Sequence, residues 1–560
     1  MARAPPRWYY LRTDDDDKAL EISFRPGSIW SKEEGAHMRG FWGGTLSMFF
    51  AFFAWFSMSP VALDMAHSID ICENQRFPPE EFPNRKAFLS YTSLESEESY
   101  CRYGTVSEDG EVVDCADAAE AAEASEQLSK YNAEVLPKCI CAPETHCARI
   151  LLLSGALSIL SGTICQMFLS GIIEFFGPVQ TQATILVISA LGLNAQMGVW
   201  DETSLMVASL LVGVAGASIF TSQFWCEQNF SPSVIGRVSG TSDGWGNLGA
   251  GAAQIVMIWC VMEPLTHLGL PFDTAWRFAL IFPELIVLEC SRWITNYCWD
   301  TPRGRYRSER TKTPAELRRE ILRCLADPRV LALGYQYASC FGVELVMNVV
   351  LTTHFRTYFQ MDLGLACVVG GSFGLMNLFA RALGGWISDY LFLAVGYRGR
   401  LWFQASVFAL EGAAMITFSK IHSQSPWELV MVLLLVFSVL VQMAEGSTFA
   451  ILPQVFPSRT AAASSVVSIL ANIGAIIVLL TIYKLFGADD PMFPYEIHAL
   501  VICPAALLTV FLACPEKQEP KHPGKEPEQA TFAFLQKEEE SENGPEAPAA
   551  VSLEAGDNAS

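Results

Sequence analysis

From Phe41 to Ala66 the chain carries one ionisable residue, Asp64, in a run that includes FFAFFAWF. About 20 mostly apolar residues are needed for a helix to cross the hydrocarbon core of a bilayer, so this stretch reads as a transmembrane span. Eleven more follow at 148–170, 181–200, 203–222, 235–263, 275–298, 330–355, 364–390, 400–420, 426–448, 460–483 and 496–513. Lipid offers no hydrogen bonds to an exposed backbone, so runs of this length are helices. The expected fold is an all-α membrane protein with twelve transmembrane helices in two six-helix halves, 41–298 and 330–513.

The net charge of −22 concentrates outside those spans. Residues 68–147 hold 17 acids and 6 bases, and residues 515–560 hold 11 acids and 4 bases. What remains is nearly neutral, which excludes an ordinary soluble enzyme and a nucleic-acid binder. There is no GxxxxGK[ST], no HExxH and no GxSxG at a strand–turn–helix, so no enzyme activity and no cofactor are expected.

Basic residues set the expected orientation. Segment 1–40 carries Arg3, Arg7, Arg12, Lys18, Arg25, Lys32 and Arg39, and linker 299–329 carries nine bases. Both are expected in the cytoplasm, with the acidic, Pro-rich tail 514–560 disordered on the same side. The first forty residues lack the short apolar core and small-residue cleavage site of a secretory signal. Loop 68–147 is then external, and its six cysteines (Cys72, Cys101, Cys115, Cys139, Cys141 and Cys147) read as a disulfide framework of open connectivity. A zinc site on Cys139, Cys141 and Cys147 is the rival, although their spacing fits no usual metal pattern.

Polar groups inside spans are costly and mark function. The fifth span reads GRVSGTSDGWGNLGAG from Gly236 to Gly251. Gly240, Gly244, Gly246 and Gly249 permit close approach by a neighbour or ligand, with the Asn247 amide among them. The eleventh span repeats part of this pattern, placing Asn472 and Gly474 at the positions of Asn247 and Gly249. A duplicated helix of this kind belongs to transporters with a substrate site between two repeats. In the eighth span, Arg381 lies eight residues before Asp389, about 12 Å into the membrane. Its fork suits a planar oxyanion; a cation snorkelling to the membrane face is the alternative. Glu344 in the seventh span is a candidate for ion coupling or for a structural ion pair. Arg277, Glu284 and Glu411 read as interfacial.

GRVSGTSDGWGNLGAG resembles the first nitrate signature of the nitrate/nitrite porter family within the major facilitator superfamily. SQFWCEQNFSPSVIGRVSGT, AWRFALIFP, GVEL and FGLMNLFARALGGWISDY resemble its helices four to eight, and DDDDKALEI and HMRGFWGG its lead-in. The resemblance implies transport of nitrate or nitrite by alternating access in the plasma membrane, coupled to protons, with a single-pass accessory protein in some relatives. It assigns Arg381 to one of two anion-gripping arginines, Asn247 to a side-chain hydrogen bond, and the glycines to the moving helix contact. Three departures stand out. The position of the second-helix arginine, four residues before Gly171, is Met167. The following loop GIIEFFGPVQ lacks the family's bases, and the eleventh span has Ser465, Ser468, Leu470 and Ala471 where glycines are favoured. The Met167 departure leaves open transport of another small anion or solute, and the Cys-bearing loop and long acidic tail, as possible partner surfaces, leave open a non-transporting sensor on a transporter scaffold.

Overall fold

The computed structural model describes residues 11–14, 17–23, 35–69, 105–106, 112–113, 146–231, 234–304, 314–359, 361–423, 425–456, 460–486 and 491–512. Eleven helices among them are long and apolar enough to cross a membrane: Ala36–Ala66, Ile150–Leu169, Phe175–Met197, Glu202–Asn229, Arg237–His267, Pro328–Thr357, Leu363–Val395, Tyr397–Ser419, Trp427–Val455, Ala462–Tyr483 and Phe493–Leu512. These are spans one to five and seven to twelve. The expected sixth span is present in two pieces, Phe272–Ala279 and Ile281–Tyr297. Pro283 has no N–H to give the carbonyl of Ala279, and the helix turns there.

Local chemistry explains the joints. Spans two and three form one stretch, His146–Met197, bent at Gly177 with φ 80° just before Pro178. The Asp300 carboxylate, beyond span six, accepts the Val179 N–H at 2.9 Å and caps the new helix. Span four opens on a reciprocal cap, in which Asp201 accepts the Ser204 N–H at 2.9 Å and Ser204 accepts the Asp201 N–H at 3.0 Å. Spans five and eleven both loosen into π-helical turns, Met257–Met262 and Leu479–Tyr483. The lead-in docks beneath span four: Ala19 bridges Phe230, and the Lys18 ammonium donates to the Glu227 carbonyl at 2.8 Å.

The core is continuous from the Phe-rich first span to the last, and Trp225, Trp276 and Tyr337 are among its largest fully buried side chains. Cys72, Cys101, Cys115, Cys139 and Cys141 lie outside the described residues, as does the side chain of Cys147.

Candidate functional site

Two spans break at one level. Span seven is interrupted at Ser339 and Cys340, between Pro328–Ala338 and Phe341–Thr357. Span eight tightens into a 3-10 turn at Met376–Leu378 and leaves the helical path at Phe379, φ −136° and ψ −28°. Broken helices at mid-membrane free backbone and side-chain groups to bind solutes. Arg381 begins the second piece of span eight and sits in this gap.

Arg381 is 1% exposed, which removes the snorkelling alternative. Its Nη2 lies 2.8 Å from Glu445 Oε2 of span ten and donates to the Tyr337 hydroxyl at 2.9 Å. The guanidinium carbon stands 5.7 Å from the Phe341 ring centroid, while Nη1 has no hydrogen-bond partner. Asp243 and Glu344 are near enough to act on it electrostatically. Asn377 donates its amide to Glu344, and the Glu344 carboxyl acts electrostatically on Glu445. Behind them Glu411 of span nine is fully buried with neither oxygen partnered. It is a core residue, and its interfacial assignment does not hold. One arginine therefore has three buried acids about it, Glu445, Asp243 and Glu344, with Glu411 behind Glu445.

Span five supplies the opposing wall. A Cβ on Gly244 would meet the Asn377 carbonyl at 2.8 Å and Arg381 Cβ at 3.4 Å, so a glycine lets the backbone approach the arginine. One turn on, Asn247 is completely buried with both amide atoms unpartnered. Such an amide is costly unless a ligand or water satisfies it. Gly246 packs on Met48 and Gly249 on the Phe49 carbonyl, both of span one, and Gly474 packs on Ala338. Gly240 is different: nothing lies within 4 Å of a Cβ built there, so it is not a helix-contact glycine. Asn472 is buried too, but its amide donates to Gln166 Oε1 at 3.2 Å, joining spans eleven and two.

Met167 is corrected by helix periodicity. Span two buries Ile159, Thr163, Gln166 and Leu169, whereas Met167 is 56% exposed beside exposed Ile164 and Phe168. One residue along a helix turns the side chain by about 100°, so Met167 faces away from the bundle and Gln166 faces in. Among the described residues no second buried arginine or lysine stands beside Arg381; the other one, Arg400, bonds Asp389 at 2.7 Å near the lead-in face.

Asp243 and Glu445 are the residues that reading the sequence overlooked. Both were findable as lone acids, in SDGWG of span five and in VQMAEGSTF of span ten. A cavity of about 130 Å³ lies elsewhere, at the ends of spans one to four, seven, eleven and twelve nearest loop 68–147, lined by Trp55, Ser158, His354 and Tyr495 among others. Arg381 does not line it.

The family model described as Major Facilitator Superfamily matches residues 149–479. The chain belongs to the major facilitator superfamily. As a member of this transporter superfamily it is not an enzyme, and its curated relatives there are nitrate/nitrite porters. It is 31% identical over 344 residues to High affinity nitrate transporter 2.5 of Arabidopsis thaliana, covering 60% of this chain and 66% of that protein. It is 29% identical to High affinity nitrate transporter 2.7 of the same plant, covering 60% and 70%. For Nitrate transporter 2.2 of Chlamydomonas reinhardtii the identity is 27%, covering 58% and 64%. The alignment thus spans about two thirds of the length of these relatives. Among solved structures, that of a bacterial homolog to the human lysosomal transporter Spinster, inward-facing and occupied, has TM-score 0.48 at 11% identity, covering 92% of this chain and 99% of that one.

Proposed function

We propose that this superfamily member is a secondary transporter of nitrate or nitrite, working by alternating access and driven by protons. The observation that carries the reading is Arg381, enclosed at the break of two spans with one free nitrogen, together with the unpartnered Asn247 amide one turn along span five from Gly244, which abuts the arginine. A planar anion that accepts from both satisfies two otherwise idle donors, and each charge-assisted bond contributes about 1.5–3 kcal/mol. The relatives' names point to the same substrate. The second reading, a different solute because of Met167, loses its support, since that side chain points out of the bundle.

In this reading the termini and basic linker face the cytoplasm, loop 68–147 is external, the membrane is the plasma membrane, and a single-pass accessory protein is a partner to look for. Nitrate and nitrite uptake into proteoliposomes under an imposed pH gradient tests it. Uptake is expected in the native chain, with loss of at least ten-fold in Arg381→Gln. Absence of flux of either anion from well-folded, reconstituted protein would sink the reading.

A further inference from the structure

The acids around Arg381 exceed what one guanidinium can neutralise. Glu445 is 0% exposed and paired with it. Glu344 of span seven and Asp243 of span five also act on it, and Glu411 of span nine acts on Glu445; all three are 1% exposed or less. The remaining titratable neighbours are Tyr337 and Cys340 of span seven. A buried, unpaired carboxylate costs several kcal/mol, so these groups cannot all be ionised in a dry site. Glu344 and Glu445 repel one another when both are ionised, and a proton on either relieves that repulsion. Without an anion, Glu445 holds Arg381 Nη2, the second prong that a two-pronged grip on an anion needs beside the free Nη1.

Building on the proposed anion transport, we infer that Glu445 is the coupling residue: its carboxylate holds Arg381 when the site is empty, and an anion binds only when Glu445 takes up a proton and lets go. The step balances. A proton from the aqueous side that is open forms an O–H bond on a Glu445 oxygen, the Arg381–Glu445 ion pair breaks, and the guanidinium N–H groups turn to the oxygens of the incoming anion. Before the step the pair is a cation and a carboxylate; afterwards it is a cation, an anion and a neutral acid. The net charge of the enclosed site is unchanged, so the occupied transporter avoids the cost of carrying an added charge through a low-dielectric interior. Release reverses the step: the anion leaves, the proton leaves, and the ion pair reforms. Glu445 thereby ties the binding of an anion to the binding of a proton. Asn377, which donates to Glu344, holds the second carboxyl beside it as a positioning residue.

Nitrate binding to the purified full-length chain, measured by calorimetry across a range of pH, tests this. Native affinity should weaken by about ten-fold per pH unit above the titration of Glu445, because the bound form holds one more proton. In Glu445→Gln the slope should vanish and the affinity should stay near the native acid limit at every pH. Glu445→Asp retains a titratable group and should restore the slope with a shifted midpoint, which separates proton carriage from packing. Nitrate binding by Glu445→Gln with the native slope overturns the assignment, as does a flat profile in the native chain. If the native chain binds neither nitrate nor nitrite at any pH, the anion-transport reading fails, and this inference falls with it. If Glu445→Gln does not fold, the native and Glu445→Asp profiles still decide: parallel slopes with different midpoints support it, and identical midpoints refute it.

Discussion

At the scale of single residues, the meaning of a position rests on which face of its helix it occupies. Gln166 and Met167 are neighbours in sequence, yet one is 4% exposed and the other 56%. Gln166 donates to the Gly216 carbonyl at 3.2 Å and accepts from Asn472 at 3.2 Å, tying spans two, four and eleven together. Gln166→Ala strands a buried carbonyl and a buried amide, and the expected loss is about 1–3 kcal/mol of stability. Met167→Ala removes a side chain that packs on nothing inside the bundle, and the expected change is within about 0.5 kcal/mol. Thermal unfolding of both variants in the same detergent compares them. Equal losses would mean that span two is rotated from the position described. The arginine was readable because it is a lone cation in an apolar run. Glu445 is equally legible as a lone acid in span ten, but its pairing with Arg381 is not, because nothing in a linear sequence says that spans eight and ten meet at that depth.

At the scale of elements, glycine spacing announced close helix packing, but not which glycine makes which contact. A Cβ on Gly249 would overlap the Phe49 carbonyl of span one, backbone that has no room to yield. Gly240, on the same helix, faces open space. Gly249→Ala is therefore expected to destabilise by about 1–3 kcal/mol through overpacking. Gly240→Ala should stabilise by about 0.5–1 kcal/mol, since alanine is the better helix former. Chemical denaturation or thermal unfolding reads the opposite signs, and the same sign for both would remove the packing argument. Span positions were legible throughout, because twenty apolar residues have few alternatives in lipid. The breaks in spans seven and eight were hidden: Ser339–Cys340 and Phe379 carry no proline or glycine signal. Those irregularities are stabilised by tertiary packing around Arg381, which local propensity does not encode.

At the scale of the whole molecule, two ion pairs join the N-terminal helices to the C-terminal helices at opposite ends of the bundle. Arg356 of span seven meets Asp64, at the end of span one, at 2.6 Å on the face nearest loop 68–147. Arg237 of span five stands 3.8 Å from Asp389 of span eight on the lead-in face, where Arg400 also holds Asp389. Each end of the bundle thus carries an ion pair between the two halves, and the proposed alternating access would have to break one pair to open each end. Opening toward the loop face must break the Arg356–Asp64 pair, whose side chains are 25% and 18% exposed. A partly exposed pair contributes up to about 1 kcal/mol, equivalent to about five-fold in a population. Asp64→Asn should therefore raise the open population at that face by up to about five-fold. Alkylation of a cysteine introduced by Thr353→Cys, in the wall of the cavity there, measures the change. The gain should be largest at low ionic strength in the comparison with the native pair, because salt already weakens that pair. Arg237→Gln, removing a side chain 57% exposed at the longer contact, should shift the equilibrium less. An alkylation rate indifferent to Asp64→Asn would show that helix packing alone, and not this ion pair, holds the loop face shut.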